Sequence, residues 1–228
     1  MSFKKFIKEL EGGRVEGELI KTTLYSLVTS LIFLAILYYL KLRYVEYFIP
    51  KYGFYLFFSV LSFAIIVPSI RQVRAYKEFS CMSGMMIGMT IGMVSGFLLG
   101  FYIGATNGMF YGSVFGMGVG IFFGIWMGKC CGIMGIMEGT MAGFMGGLMG
   151  AMTAVMMLND NLKAASVIVF LVCSVIIFGL NYMIYFETKE SERQLKEDHI
   201  TTIILSFILT ALTVWLMVFG PRSILFGG

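Results

Sequence analysis

The chain has 228 residues, of which 58% are hydrophobic and 13% charged, with a formal net charge of +4 and a mean hydropathy of +0.87. So much apolar sequence with so little charge excludes an ordinary soluble globular domain and points to an all-α polytopic protein of the cell membrane. Its expected partners are the lipid bilayer and other membrane helices, including further copies of itself, with no nucleic acid.

The first seventeen residues are charged and lack the continuous apolar core of a cleavable signal peptide, so the N-terminus is expected to be retained. Phe3, Phe6, Ile7 and Leu10 share one helical face with Lys4, Lys5 and Lys8 around it. That pattern suits either a short helix on the membrane surface or a solvated charged tail cut short by Gly12-Gly13. A bilayer-spanning helix needs roughly 20 mostly apolar residues. Seven runs meet this: Leu19–Leu40, Phe54–Ile70, Met82–Gly104, Gly108–Gly128, Gly132–Met157, Ala164–Phe186 and Ile200–Phe219. Together they form a single transmembrane domain of about seven spans. Lys and Arg concentrate in the N-terminal tail, in Arg71–Lys77, at Lys129 and in the charged segment 187–199. By the positive-inside rule these segments and the N-terminus are expected to be cytoplasmic.

The first two runs are rich in Leu, Ile, Phe and Tyr, and read as lipid-facing framework. Tyr38, Tyr39, Tyr44, Tyr47, Tyr52 and Tyr55 crowd the intervening loop and its edges, where amphipathic rings favour the interface. Pro68 is expected to kink the end of the second helix.

The segment 81–158 is dominated by glycine and methionine. Glycine recurs at every fourth position from Gly84 to Gly132. In water each such glycine would cost a helix about 0.5–1 kcal/mol relative to alanine. In a membrane, small residues four apart instead let helix backbones approach closely. A straight helix over the whole series would run for roughly 70 Å, more than twice the hydrocarbon thickness, so it must fold back. Ala105-Thr106-Asn107-Gly108 is the expected first turn and Lys129-Cys130-Cys131 the second, giving an up-down-up trio packed as a glycine zipper.

On the fifth run, at about 100° per residue, Met134, Met137, Met141, Met145, Met149, Met152 and Met156 share one sector with Glu138, opposite the glycines. On the third run Met82, Met85, Met86, Met89 and Met93 share a face. The two turns bring Cys81, Cys130 and Cys131 to one membrane face, near Met85 and Met134. Thiolates and thioethers together are soft ligands of the kind that select monovalent copper. Deeper in, Met89, Met137, Glu138, Met141 and Met145 continue as a ladder of weak ligands. An ionisable residue such as Glu138 inside a membrane segment is itself a functional signal. The competing reading is that methionine, being flexible, fills gaps between closely packed helices. Cys173 reads as a small buried hydrophobe, and His199, the only histidine, as a solvated loop residue. The chain lacks a H-E-x-x-H site, a G-x-S-x-G elbow and a P-loop, and no enzyme activity is expected.

The MxxxM spacing of Met85, Met89 and Met93 and of Met137, Met141, Met145 and Met149, set beside GxxxG, resembles the high-affinity copper uptake transporters. The segment Gly84–Met157 also resembles the membrane part of prokaryotic proteins that accompany cupredoxin-like copper domains. The resemblance implies copper handling. The expected function is transport or membrane binding of monovalent copper or silver through the Cys/Met ladder. The alternative is an ion channel or assembly scaffold in which Gly and Met serve packing only.

Overall fold

The computed structural model describes residues 17–40, 52–76, 79–187 and 199–221. The N-terminal stretch with Phe3, Phe6, Ile7 and Leu10, the loop tyrosines Tyr44 and Tyr47, and most of the charged 187–199 segment lie outside them. The described residues form α1 (Gly17–Leu40), α2 (Phe54–Arg74), α3 (Cys81–Asn107), α4 (Met109–Gly128), α5 (Gly132–Met156), α6 (Leu162–Glu187) and α7 (His199–Phe219). No strand occurs among them.

Among the described residues, six segments are long and apolar enough to cross a membrane: Leu19–Tyr39, Phe54–Arg74, Cys81–Asn107, Met109–Met156, Leu162–Glu187 and Ile200–Phe219. The difference from the sequence-derived count of seven lies in Met109–Met156, a 48-residue stretch that holds both α4 and α5. Helical geometry is interrupted there by a 3-10 turn at Lys129–Cys131 and by Gly132, whose φ of +66° is a conformation glycine adopts without steric cost.

The first turn is tighter than the sequence suggests. Only Gly108, at φ 105° and ψ 169°, separates α3 from α4. Ala105, Thr106 and Asn107 remain helical, because Asn107 is held from outside. Its Nδ2 donates to the Leu216 carbonyl at 2.7 Å, and its Oδ1 accepts from Thr106 Oγ1 at 2.8 Å. The buried amide thereby ties the turn to the end of α7.

Helices α3, α4 and α5 pack more extensively on one another than any other helices do. The contacts fall on glycine in a fixed register. A Cβ at Gly88 would lie 2.9 Å from the Cα of Gly128, and one at Gly92 3.0 Å from that of Gly124. One at Gly116 would lie 2.8 Å from the Cα of Gly100. Each advance of four on α3 thus meets a retreat of four on α4, so the two run antiparallel. Gly120 meets Gly143, Gly124 meets Gly139 and Gly128 meets Gly135 in the same sense, while Gly96 lies against Gly143 and Gly104 against Ala151 in parallel. Backbone therefore fills the axis of the trio.

The remaining helices are joined to the trio chiefly through α3, which contacts α2, α6 and α7. A side-chain core lies at that junction, built on Phe63, Ile87, Ile91, Leu99, Phe101 and Tyr102. The expectation that the first two helices are lipid-facing framework fails for α2, whereas α1 leaves most of its apolar side chains, among them Leu24, Ile32 and Ile36, exposed. Phe63, Ser59, Ser62 and Gln72 of α2 are buried, and α1, α3, α6 and α7 all pack on that helix. Pro68 sits inside α2, which continues to Arg74.

Candidate functional site

The three cysteines of the Gly/Met segment meet at one end of the trio. Cys81 is the first residue of α3, whose start is fixed by two bonds. Ser80 Oγ accepts from the Ser83 N–H at 3.4 Å, and the Ser80 N–H donates to Glu187 Oε1 at 3.0 Å. Cys130 and Cys131 lie on the 3-10 turn between α4 and α5. Both sulfurs occupy the space a side chain at Gly84 would need. A Cβ there would lie 2.7 Å from Cys130 Sγ and would collide with Cys131 Sγ. Glycine at position 84 is therefore what allows the turn to close over the start of α3.

The Cys131 Sγ also reaches the Ser80 carbonyl at the start of α3, at 3.7 Å. Each turn cysteine also bonds backbone: Cys131 Sγ donates to the Cys81 carbonyl at 3.1 Å, and Cys130 Sγ to the Met127 carbonyl at 3.3 Å. All three thiols are free, with Cys81 and Cys130 exposed. They form a set of neighbours and not a preformed cage: no group of three or more His, Cys, Asp or Glu able to hold a metal ion occurs among the described residues. A cleft of about 400 Å³ opens beside Cys130, lined also by Arg74, Trp126, Met127 and Lys129. The Arg74 guanidinium stacks over the Trp126 ring at 5.0 Å.

The methionines are disposed differently. Met134, Met137, Met141 and Met145 are exposed on the outer face of α5, and Glu138 is exposed among them. Met149, Met152 and Met156 continue the stripe along the helix. On α3, Met82, Met86 and Met93 are exposed, with Met85 and Met89 half-buried. The two stripes overlap in depth, since Gly92 lies against Gly139. Neither enters the trio, whose axis is occupied by backbone. On α5 the thioethers face outward, whereas Met127 of α4 is buried in the side-chain core.

The chain matches no known protein family, no curated protein and no solved structure.

Two features were not anticipated from the sequence. Buried hydroxyls line both α1 (Thr22, Ser26, Ser30) and α7 (Thr202, Ser206, Thr210, Thr213), and the two helices pack on each other. Thr29 and Ser206 share a hydrogen bond at 3.3 Å, and Thr210 Oγ1 donates to Ser30 Oγ at 3.5 Å. At the thiol end of this interface Arg71 is buried, its Nη1 donating to Thr22 Oγ1 at 3.3 Å. The serine and threonine spacing near four on both helices was the available signal. The second feature is a cleft between α1, α2 and α6, for which only Pro68 and Asn181, two interruptions of otherwise apolar runs, gave a sign.

Proposed function

We propose that this chain is a multi-pass membrane protein that binds and passes a monovalent soft cation, copper(I) or its chemical mimic silver(I), captured first by Cys81, Cys130 and Cys131. The observation that carries this reading is the meeting of three free thiols, from segments about fifty residues apart, over a glycine whose missing side chain makes their room. Two thiolates suffice for a monovalent soft ion that accepts linear coordination, and the ligand set disfavours harder ions. Binding displaces the thiol protons. In this reading all seven helices cross the membrane, the trio is a glycine zipper, and the thiols face the cytoplasm, where they stay reduced.

Beyond the thiols the cation is passed along the outer face of the trio, since its axis is closed by backbone. Met85 and Met89 on α3 and Met134, Met137, Met141 and Met145 on α5 supply thioethers, and Glu138 supplies balancing charge. Such a face is screened from lipid when a second copy or another membrane helix covers it. The outward stripe also favours a second reading, an assembly scaffold whose α5 face holds a partner helix and carries no ion.

Silver flux into proteoliposomes, measured with metal content after purification under reducing conditions, separates the two. Transport predicts flux in the parent protein, with a loss in Met137→Leu, Met141→Leu and Glu138→Gln at an unchanged melting temperature. No flux in the parent protein, or full flux in all three variants, leaves the scaffold.

A further inference from the structure

Helices α2 and α4 both pack on α3 and not extensively on each other. Their ends meet at the start of α3: Gly128, the last residue of α4, lies against Gly88, and only residues 75–80 separate α2 from Cys81. Between the two ends lies the cleft of about 400 Å³. Its lining sets an aromatic wall, Tyr76, Phe79 and Trp126, beside two cations, Arg74 and Lys129. The Arg74 guanidinium is held over the Trp126 ring, and Lys129 is exposed. No aspartate or glutamate occurs among the described residues of the lining. A mostly apolar cleft between helices with a few convergent polar groups is the usual build of a small-ligand site, and these polar groups ask for an anion.

Charge and apolar surface are separated by depth. Arg74 is the last residue of α2 and of its membrane-spanning segment, and Lys129 follows the last residue of α4, so both cations sit at headgroup level. Trp126 lies about one turn further in, where an amphipathic ring favours the interface. Phe122, exposed on α4 beyond the cleft, packs its ring 5.8 Å from that of Trp126 and lies roughly 10 Å from Lys129 at 1.5 Å per residue. An occupant that uses the whole surface carries negative charge at one end and hydrocarbon at the other.

We propose that this cleft binds an anionic phospholipid, its phosphate held between Arg74 and Lys129 and an acyl chain lying along Trp126 towards Phe122. Basic pockets between membrane helices select anionic headgroups. The guanidinium offers a planar fork of N–H donors matched to phosphate oxygens, and the ammonium a compact charge beside it. Phosphatidylcholine has the same phosphate, but its quaternary ammonium cancels the charge and sets a third cation against the two of the cleft, so it is the discriminating lipid. Cys130 lines the same cleft and is exposed, whereas Cys81 does not line it. A bound lipid therefore covers one thiol and leaves the other open. The proposal holds whether or not the protein carries a metal.

The first test is native mass spectrometry of the full chain in detergent, offered equimolar phosphatidylglycerol and phosphatidylcholine with identical acyl chains. The unaltered protein should retain phosphatidylglycerol roughly threefold or more over phosphatidylcholine. Lys129→Glu, at an exposed position, should abolish that preference. Lys163→Glu makes the same change of charge at the exposed start of α6, whose other end bonds Ser80, and should leave the preference intact. In nanodiscs of the unaltered protein, phosphatidylglycerol in place of phosphatidylcholine should slow N-ethylmaleimide labelling of Cys130 more than that of Cys81. Equal retention of the two lipids by the unaltered protein overturns the proposal and requires no variant to fold. So do a preference that survives Lys129→Glu, one lost equally in Lys163→Glu, and Cys130 labelling that merely follows that of Cys81. Displacement of phosphatidylglycerol by glycerol phosphate overturns it too, since the cleft would then take a soluble phosphate and not a lipid.

Discussion

Two glycines on α4, six residues apart, should respond to alanine in opposite directions. A Cβ at Gly124 would meet the Gly139 carbonyl group of α5, lying 2.6 Å from its carbon and 3.0 Å from the Gly139 Cα. Those atoms are backbone and cannot rotate aside. To restore an ordinary carbon contact, α5 must retreat on the order of 1 Å, loosening dispersion contacts on either side. The retreat would be shared, because Gly120 against Gly143 and Gly128 against Gly135 belong to the same antiparallel seam. An inserted methyl in a tightly packed interior costs about 1–3 kcal/mol, and Gly124→Ala should lie toward the upper part of that range. Gly118, by contrast, is exposed and has nothing within 4 Å of its would-be Cβ. There the intrinsic helix preference operates alone, and Gly118→Ala should stabilise by about 0.5–1 kcal/mol. Thermal melts of the two variants in one detergent provide the assay. If Gly124→Ala melts at or above Gly118→Ala, the glycine seam is not what holds the trio together.

A short bifunctional thiol reagent should link Cys81 to Cys130 or Cys131 in membranes, and prior silver loading should block it. Failure of both links would remove the thiol cluster. Met137→Leu and Met141→Leu, on the outer face of α5, should cost less than roughly 1.5 kcal/mol in detergent melts, since neither side chain is packed inside; a larger loss would mean that the face is filled by protein. Asn107→Leu should destabilise by about 0.5–1.5 kcal/mol, because it removes the 2.7 Å bond to the Leu216 carbonyl, which keeps only its bond from the Gly220 N–H at 3.0 Å. Hydrogen exchange should then rise at the end of α7, and an unchanged rate there would count against the link.

The helices of the glycine segment could be read closely because sequence and geometry use the same signal there. A fourfold glycine repeat longer than the membrane must reverse, and the reversals fall where Asn107-Gly108 and Lys129-Cys130-Cys131 interrupt it. Convergence of Cys81 with Cys130 and Cys131 follows from those two reversals. The sector shared by Met134, Met137, Glu138, Met141 and Met145 was legible too, but its destination was not. Periodicity says which residues share a face, whereas what the face meets depends on where other helices pack, and here none of α1, α2, α6 or α7 packs extensively on α5. Helix α2 shows the same limit in reverse. Its composition resembles that of α1, yet Ser59, Ser62 and Ser69 mark a helix surrounded by neighbours, their hydroxyls bonded to carbonyls three or four residues back. Such local bonds hide polarity so well that hydropathy alone does not separate a buried helix from a lipid-facing one.

The backbone-filled axis of the trio also bears on how the protein can move. Side-chain cores can shift by exchanging rotamers, but an interface of glycine against glycine has none to exchange. Sliding one helix past another there would require a jump of a whole four-residue step to find the next notch. The trio therefore behaves as a ratchet locked at one tooth. Any working stroke of the molecule would swing α3, α4 and α5 together as one rigid block against α2, α6 and α7, hinged on the side-chain core around Phe101 and Tyr102.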